Sequence, residues 1–195
     1  MSNRVSTPSP SGQAPAGEKS QLMSASEIDR TVVRLAHEIL ERNNGVENLV
    51  FVGIERRGVP LARRLAQTIG GIESAEPPVE TLDTAAYRDD VSKASVRPAA
   101  ESASPRFSVD GKKVILVDDV LFTGRTTRAA LDALLAFGRP RSVELCVLID
   151  RGHRELPILA NYVGRTIQTS ETELIEVRLR EVDGQDRVVL CERPS

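Results

Sequence analysis

Two patterns of hydrophobic positions alternate along this chain. Apolar residues recur at helical spacing after Ser24 and again over 58–70, whereas nearly continuous apolar runs fill 49–54, 114–117 and 142–150. Continuous apolar runs are typical of parallel strands that helices cover on both faces. Strands that alternate with helices in this way predict an α/β protein with a doubly wound, mostly parallel sheet.

Local signals mark the ends of the predicted helices. Ser24 and Glu27 have the spacing of a capping box, and Gly45 suits the end of the same helix. Gly70 is predicted to lie just after the second helix. In the third predicted helix, Leu135 is expected to lie on the buried face with its apolar neighbours.

Other stretches depart from these patterns. Residues 1–20 are rich in Ser, Pro, Gly and Ala, so we predict a disordered tail followed by a single domain over 21–195. Residues 79–87 are predicted to be a strand, and the polar residues 88–110 a flexible functional loop. The last third of the chain is strand-like, and Asp183–Gly184 predicts the turn of a terminal hairpin. We expect these β segments to cap the ligand end of the sheet.

Composition narrows the class of protein. The 195 residues carry 26 basic and 28 acidic side chains, a net charge of −2, so no overall basic field favours nucleic acid. Aromatic residues make up only 3%, which leaves few stacking platforms for single strands. No apolar run reaches the roughly 18 residues of a membrane span, and the N-terminus lacks a signal-peptide pattern. Cys146 and Cys191 lie in apolar runs, so we expect reduced core thiols in a cytoplasmic protein.

The stretch VILVDDVLFTGRTT, residues 114–127, carries the strongest chemical signal. Asp118 and Asp119 follow a buried strand, at the end where open α/β sheets bind their ligands. A Thr/Gly-rich turn, 123–127, then opens a helix, whose free N–H groups favour a phosphate. The two carboxylates can bind sugar hydroxyls or Mg²⁺, and they lie beside the predicted phosphate site. Together these features predict a phosphorylated sugar as the ligand. The alternative is an ordinary strand–turn–helix.

Two further loops carry cations that suit a pyrophosphate group. Arg56 and Arg57 lie in the ERRG loop directly after the run 49–54, where Arg57 and backbone N–H groups are predicted to hold pyrophosphate. Arg88 precedes the flexible loop, and we expect it to close onto pyrophosphate as part of a lid that excludes water. The alternatives are a solvated turn and a charged strand end.

The segment DRGHRELP begins at the carboxyl end of another buried strand. One interpretation has Arg151 lining the ligand while His153 and Arg154 face outward to a partner. The alternative is a capped turn with surface ion pairs. On the first helix, His37 beside Arg34 is typical of a solvated face unless it joins these later basic residues.

Together these segments resemble the PyrR family, bacterial proteins that are both pyrimidine operon regulators and uracil phosphoribosyltransferases. The resemblance covers about residues 24–192 and is carried by RLAHEILERN, FVGIERRGVPLARRLA, AYRDDVSK, KVILVDDVLFTGRTTRAALDAL and DRGHRELPILANYVGRTIQTS. It implies a type I phosphoribosyltransferase fold with a small β-rich hood. It also implies Mg²⁺-dependent transfer of 5-phosphoribosyl from phosphoribosyl pyrophosphate (PRPP) to uracil, giving UMP and pyrophosphate. A second implied activity is UMP- or UTP-promoted binding to pyrimidine-operon mRNA, which represses expression by attenuation.

The resemblance implies a role for each matching residue. Asp118 and Asp119 contact the ribose hydroxyls and, with Arg88 of the lid, are the implied catalytic residues. Mg²⁺ is implied to be held through PRPP and water, without a metal site on the protein. The implied substrate-binding residues are Arg56 and Arg57 for pyrophosphate, the two aspartates, Val120, Leu121, Phe122, Thr123, Gly124, Arg125 and Thr126 around the 5-phosphate, and Arg151 and Ile175 near the base.

The resemblance also implies a basic, concave RNA surface at the interface of a homodimer or homotetramer. The matching residues are Arg34, His37, His153, Arg154 and Arg165. Three positions depart from better-known members: Val33 replaces a Thr, Leu159 a basic residue and Asn161 an Asp. Losing a cation weakens phosphate contacts. The open alternatives are an enzyme that has lost RNA binding, a nucleotide-sensing regulator with weak catalysis, and a purine phosphoribosyltransferase, which DRGHRELP and the terminal hairpin disfavour.

Overall fold

The computed structural model describes residues 17–87 and 107–193, and these ranges contain eight strands, four helices and one 3₁₀ turn. The strands are β1 (Glu18–Met23), β2 (Leu49–Ile54), β3 (Val79–Leu82), β4 (Lys113–Leu121), β5 (Ser142–Asp150), β6 (Tyr162–Thr166), β7 (Glu173–Arg178) and β8 (Arg187–Glu192). The helices are α1 (Ala25–Asn43), α2 (Gly58–Glu73), α3 (Arg125–Leu135) and α4 (Arg180–Asp183), and the 3₁₀ turn is Ala85–Tyr87. No helix in these two ranges has the length and apolar character needed to cross a membrane.

Five strands form a parallel sheet in the order β3-β2-β4-β5-β6. The chain moves in one direction from β2 to β3 and in the other from β4 to β5 and β6. The order therefore reverses between β2 and β4, which pair directly, with Gly53 opposite Val117. Such a reversal leaves a crevice at the carboxyl ends of the two strands, where α/β sheets bind ligands. The doubly wound sheet predicted from the sequence is confirmed.

Helices cover both faces of this sheet. Leu35 of α1 and Leu65 of α2 share one buried cluster with Phe51 of the sheet. Leu134 of α3 shares the cluster on the other face with Leu116. Strand β2 is buried along its whole length, as its uninterrupted apolar run predicts, because each face of the strand has a helix against it.

Helix α1 begins and ends at the signals in its sequence. The Ser24 N–H donates to the Glu27 carboxylate at 2.8 Å, which confirms the predicted capping box. At the other end, Asn44 takes the left-handed conformation with φ 53°, and the Gly45 N–H donates to the Leu40 carbonyl at 3.0 Å. These bonds satisfy backbone groups that the helix itself leaves unpaired.

The remaining strands form a small antiparallel sheet, the hood, in the order β1-β8-β7. The turn of its hairpin contains α4 and ends at Gly184, with φ 75°. Strand β1 begins at Glu18, inside the stretch predicted to be the tail, so the boundary placed after residue 20 is wrong. Pairing with β8 fixes β1, and the Glu18 carboxylate binds Arg187 at 2.9 Å. Residues 1–16 lie outside the described ranges, and the tail there stays a prediction.

Two predicted elements end elsewhere in the structure. Strand β3 stops at Leu82, because the chain forms a 3₁₀ turn before Tyr87 instead of continuing as a strand. Helix α2 continues through Gly70 and ends at Ser74, which is left-handed with φ 56°. Gly70 and Gly71 both lie inside the helix and together cost it only about 2 kcal/mol, which the burial of the helix's apolar face exceeds.

Two apolar predictions also differ from the structure. Leu135 is 57% exposed, because α3 ends there and its buried face is made by Ala130 and Leu134. The apolar residues 156–160 form no strand, since their segment folds back onto another loop described below. Most of the predicted flexible loop, residues 88–106, lies outside the described ranges.

Candidate active site

Asp118 and Asp119 lie on β4 beside the crevice between β2 and β4. The strand continues past them, and its pairing with β5 runs to Leu121, so both carboxylates project from a fixed backbone. Asp118 is only 7% exposed. Its carboxylate accepts the Asp119 N–H at 2.9 Å, and the Asp119 carboxylate accepts the Val120 N–H at 2.9 Å.

Burial makes both carboxyl groups harder to ionise. It raises the pKa of Asp118 well above the ordinary value of 3.8, and the neighbouring charge of Asp119 adds to this effect. Burial also raises the pKa of Asp119, although the hydrogen bond to Asp118 and the charge of Arg57 act in the opposite direction. Hydroxyl donors or a cation entering the crevice would favour the ionised pair.

The phosphate loop, residues 120–124, joins β4 to α3. The loop and the first turn of the helix line a cavity of about 90 Å³ that includes Thr123, Thr126 and Thr127. The N-cap residue is Gly124, at φ 91°, which has no side chain to cap the helix. The Thr123 hydroxyl accepts the Arg125 N–H at the long distance of 3.4 Å, and the N–H groups at this helix end favour an anion such as phosphate.

A segment after β5, residues 150–158, packs behind the phosphate loop, and we name it the bracing segment. Its backbone N–H groups at Glu155 and Leu156 donate to the Thr123 carbonyl at 3.0 and 3.1 Å. The Glu155 carboxylate also accepts from Arg125, the first residue of α3, at 2.7 Å. This docking explains why residues 156–160 form no strand.

Arg154 is the centre of the bracing segment. Its guanidinium donates to the Phe122 carbonyl at 2.8 Å and, at 3.4 Å, to that of Leu121. It also pairs with the Asp150 carboxylate at 2.6 Å. The interpretation in which Arg154 faces outward is therefore wrong, because its side chain is 18% exposed and bound within the chain. The structure agrees with the alternative of a capped turn.

Phe122 of the phosphate loop lies between two other side chains of the bracing segment. The Arg151 guanidinium carbon lies 3.9 Å from the centre of the ring, and the His153 ring meets it edge-on at 6.0 Å. Arg151 is 5% exposed and donates to the Thr169 hydroxyl at 3.1 Å and the Glu173 carbonyl at 2.9 Å. Burial lowers the pKa of Arg151. This residue thus joins the phosphate loop to the start of β7.

The pyrophosphate loop, residues 55–58, joins β2 to α2. Its peptide bond between Glu55 and Arg56 is cis. Arg56 is exposed and makes no hydrogen bond or ion pair with another residue of the described ranges. Arg57 donates two hydrogen bonds to Asp183 of the hood, at 2.9 and 2.7 Å. These bonds raise the pKa of Arg57, and the charge of Asp119 contributes in the same direction.

Two glycines allow close backbone packing at the pyrophosphate loop, Gly58 against β4 and Gly53 against the start of α2. A Cβ atom at Gly58 would lie 2.2 Å from the Val117 carbonyl oxygen, and one at Gly53 would lie 2.5 Å from the Val59 Cα atom. Only glycine fits at either position without movement of the backbone. The pyrophosphate loop therefore packs by backbone contact against the part of β4 that carries Asp118.

Ile175 and Arg88 are the remaining residues of the predicted site. Ile175 lies on β7 opposite Leu190, is 8% exposed, and belongs to a buried cluster against which Val120 packs. It is therefore a residue of the hood whose side chain is buried against the main core. Arg88 lies outside the described ranges, so its role in a lid stays a prediction.

The residues predicted to bind RNA fall on two parts of the molecule. Arg34 of α1 donates to the carbonyls of Val163 and Gly164 on the edge strand β6, at 2.9 and 2.7 Å. Arg165, the next residue on β6, binds the Glu27 carboxylate at 3.2 Å. These contacts bring Arg34 and Arg165 together, with exposed His37 one turn along α1 from Arg34.

The other two predicted RNA residues belong to the bracing segment. His153 is an exposed residue with a left-handed φ of 55°, and its Nε2 atom lies 2.6 Å from the Thr169 carbonyl oxygen. Arg154 holds the phosphate loop, as described above. Both side chains therefore have partners within the chain, and their contribution to RNA binding stays a prediction.

The three positions that depart from the family pattern are all exposed. Val33 is 45% exposed and Leu159 is 81% exposed, which is a large apolar surface for a single side chain. Asn161 has a structural use, because its side-chain oxygen accepts the Leu145 N–H at 2.9 Å. An aspartate carboxylate accepts the same bond, so this exchange keeps the start of β6 intact.

Sequence analysis missed two residues that hold the site. The sequence marks Asp183 only as a turn residue, although it binds Arg57, and gives Thr169 no role, although it binds Arg151. The hairpin turn carries three carboxylates, at 181, 183 and 186. This cluster of carboxylates could have predicted, from the sequence, ion pairs between the hood and the arginines at and after the pyrophosphate loop.

Comparison with known proteins assigns this arrangement to a family. The sequence model of the family described as "Phosphoribosyl transferase domain" matches residues 19–181. The bifunctional protein PyrR of Pelotomaculum thermopropionicum is 55% identical over 177 residues, 91% of this chain and 98% of the relative. The bifunctional protein PyrR of Thermus thermophilus is 53% identical over 175 residues, 90% of this chain and 97% of the relative.

Solved structures share the fold at lower identity. A hypoxanthine phosphoribosyltransferase of Staphylococcus aureus superposes with a TM-score of 0.67 at 22% identity, covering 91% of this chain and 94% of the other. The enzyme of the same name from Trypanosoma cruzi gives 0.68 at 18% identity, covering 91% and 98%. These two likenesses confirm the predicted type I phosphoribosyltransferase fold. With a matching domain over most of its length and relatives above 50% identity, the chain belongs to the PyrR family.

Proposed function

We propose that this chain transfers the 5-phosphoribosyl group of PRPP to uracil in the crevice between β2 and β4, giving UMP and pyrophosphate. Membership of the PyrR family supports both this reaction and regulation of a pyrimidine operon. The observation that carries the assignment to this crevice is the pair Asp118 and Asp119. The pair directly precedes the phosphate loop, and the charge of Arg57 acts on Asp119.

The phosphate loop binds the 5-phosphate, which remains attached to the ribose throughout the reaction. The 5-phosphate occupies the cavity at the start of α3, where helix N–H groups and the hydroxyls of Thr123 and Thr126 donate to it. The ribose hydroxyls then reach Asp118 and Asp119 and donate hydrogen bonds to the carboxylates. Fixing both ends of the ribose removes much of the orientational freedom that would oppose the reaction.

The reaction breaks the bond between ribose C1 and the pyrophosphate oxygen and forms a bond between C1 and N1 of uracil. Positive charge develops on the ribose, near the carboxylates of Asp118 and Asp119. Negative charge develops on the departing pyrophosphate, toward Arg56 and Arg57. The N1 proton of uracil passes to solvent. Charges already in place stabilise both developing charges without reorganisation.

Mg²⁺ fits this donor set as a partner of the substrate. Within residues 17–87 and 107–193, no three His, Cys, Asp or Glu side chains are grouped to hold a metal ion. Asp118 and Asp119 alone are too few for a protein-held Mg²⁺, which prefers six oxygens. Bound with PRPP, the ion would neutralise pyrophosphate charge, and the two aspartates would face it through the ribose hydroxyls or water.

Asp119→Asn tests the assignment. The variant keeps the shape of the side chain and its acceptor for the Val120 N–H, but loses the charge that faces the ribose. We expect kcat/KM for uracil and PRPP to fall about 100-fold, with an unchanged circular-dichroism spectrum. Asp29→Asn, an exposed change on α1, is the matched control and should retain full turnover. Undiminished turnover in Asp119→Asn would remove these carboxylates from the site.

We also propose that a homodimer or homotetramer binds pyrimidine-operon mRNA in the cytoplasm, promoted by UMP or UTP. Arg34, His37 and Arg165 support a basic patch on α1 and β6. Titration of the operon leader RNA at fixed salt, with and without UMP, tests the proposal, and the antisense leader is the control. Specific binding that UMP tightens is expected. If the protein binds the leader and the antisense RNA equally and still makes UMP, the regulatory proposal fails and only the enzymatic function remains.

A further inference from the structure

We propose that Arg154 is a positioning residue of the phosphate loop, required for tight binding of the substrate's 5-phosphate. The inference rests on the proposed function, because it takes the cavity at the start of α3 as the 5-phosphate site. It gives a role in substrate binding to a residue that the family resemblance assigns to the RNA surface.

The contacts of Arg154 join the phosphate loop to the bracing segment. One terminal nitrogen of the guanidinium donates to carbonyls of the phosphate loop, the other binds the Asp150 carboxylate, and Nε donates to the Ile158 carbonyl at 3.0 Å. A third carbonyl, of Gly152, lies 3.0 Å from the same terminal nitrogen that binds Phe122. A planar guanidinium with five donors makes such a set of bonds, which the single ammonium of lysine cannot.

The phosphate loop needs these bonds because it leaves the sheet. Pairing between β4 and β5 ends at Leu121, so the carbonyls of Phe122 and Thr123 have no strand partner. An anion site turns N–H groups toward the ligand and carbonyl groups away from it. Those carbonyls must find donors elsewhere. Arg154 supplies one for Phe122, and the Glu155 and Leu156 N–H groups supply two for Thr123.

Removing the Arg154 guanidinium leaves two kinds of group without a partner. The Phe122 carbonyl loses its donor, and the Asp150 carboxylate loses its cation while retaining only the Gly152 N–H at 2.9 Å. Unpaired, partly buried acceptors favour loop conformations in which water reaches them. The N–H groups that face the phosphate then lose their fixed arrangement. The ground-state affinity for the 5-phosphate should fall, while Asp118 and Asp119 on the strand stay in place.

The experiment measures binding and loop order directly. Ribose 5-phosphate is titrated calorimetrically into wild type, Arg154→Met, Arg154→Lys and the control Arg141→Met, an exposed arginine at the amino end of β5. We expect about a tenfold weaker Kd for Arg154→Met, an intermediate value for Arg154→Lys, and no change for Arg141→Met. Amide hydrogen exchange should be faster in a peptide covering 120–127 of Arg154→Met, and unchanged in hood peptides. The KM for PRPP should rise more than kcat falls.

Other results would contradict either the positioning role of Arg154 or the proposed function, and the experiment distinguishes the two. Wild-type affinity and exchange in Arg154→Met, with RNA binding alone reduced, would overturn the positioning role and leave a surface RNA contact. If wild type itself does not bind ribose 5-phosphate, the proposed function fails, and hydrogen exchange alone decides whether Arg154 orders the loop. If Arg154→Met does not fold, Arg154→Lys carries the same comparison, because it retains the stem and the charge.

Discussion

The phosphate loop and the pyrophosphate loop leave the same sheet at neighbouring strand ends, but different kinds of contact hold them. The phosphate loop is bound through its backbone, since its carbonyls accept bonds from Arg154 and from two N–H groups of the bracing segment. The pyrophosphate loop is bound through a side chain, since Arg57 pairs with Asp183 of the hood. Backbone carbonyls do not bind anions, so the first set of bonds survives the arrival of a ligand. The second set uses the donors that pyrophosphate itself needs.

This difference corresponds to the fate of the two ligand groups. The 5-phosphate stays bound from PRPP to UMP, whereas pyrophosphate must arrive and leave in each turnover. A preorganised site suits the group that stays. A site whose arginine exchanges between Asp183 and the ligand suits the group that leaves, because the internal carboxylate stabilises the empty state.

Gly58→Ala should have the largest effect, because it pushes the pyrophosphate loop away from the part of β4 that carries Asp118. The added Cβ meets the Val117 carbonyl oxygen at 2.2 Å and the Asp118 Cα atom at 3.4 Å, and neither backbone atom can rotate away. We expect a loss of about 3 kcal/mol in the free energy of unfolding and a fall in kcat/KM of at least about 100-fold. Denaturant unfolding and steady-state kinetics measure the two effects.

Gly71→Ala in the same helix is the matched control. A Cβ there has no heavy atom within 4 Å, so the change should raise stability by up to about 1 kcal/mol and leave turnover unaltered. Similar losses in both variants would show that α2 tolerates no side chain at either site, and that the close approach of Gly58 to β4 has no special role.

The sequence determines the ends of these loops better than the contacts that hold them. Strands β2 and β5 have the predicted bounds, because an apolar run between polar ends leaves little choice of boundary. The carboxylates, the glycines of the two loops and the reversal of strand order follow from the same pattern. Each of these features depends on residues that are neighbours along the chain.

The partners of the arginines depend on contacts between distant residues. Arg154 meets carbonyls more than 30 positions away, and Arg57 meets a carboxylate 126 positions away. Spacing along the chain carries no information on such pairs, so an arginine that braces a loop and one that faces RNA look alike in the sequence. Glu18 shows the same limit, because only its pairing with β8 shows that β1 exists.

Asp183→Asn sharpens the comparison with a smaller effect. The asparagine keeps an acceptor for Arg57 but not the charge, so pyrophosphate meets less competition for the arginine. We expect product inhibition by pyrophosphate to tighten about threefold, with the affinity for ribose 5-phosphate unchanged. Glu181→Gln, which alters the neighbouring pair with Arg64, is the control and should leave both constants as they are. Weaker pyrophosphate inhibition would mean that Asp183 orients Arg57 for the ligand instead of competing with it.

Asp118→Asn should have only a small effect on thermal stability, opposite in sign to that of Asp183→Asn. Burial raises the pKa of Asp118 above 3.8 in the folded chain, so between pH 4 and that raised value the folded state holds a proton that the unfolded chain has released. The free energy of unfolding then falls as pH rises through this window. Asparagine removes the effect and keeps an acceptor for the Asp119 N–H. We expect the Tm at pH 7 to rise by about 3 °C, while turnover is lost.

The pH dependence distinguishes this cause from better packing. The difference in Tm between Asp118→Asn and wild type should shrink toward pH 3.5, where both states of wild type are protonated. For Asp183, the bonds from Arg57 lower the pKa, so its charge stabilises the fold at neutral pH and that stability is lost in acid. Asp183→Asn should therefore lower Tm at pH 7. Thermal unfolding of both variants from pH 3.5 to 7.5 measures the two slopes. If the Tm differences of both variants changed with pH in the same direction, burial would not oppose the ionisation of Asp118. The ribose hydroxyls would then have no such cost to offset when they bind.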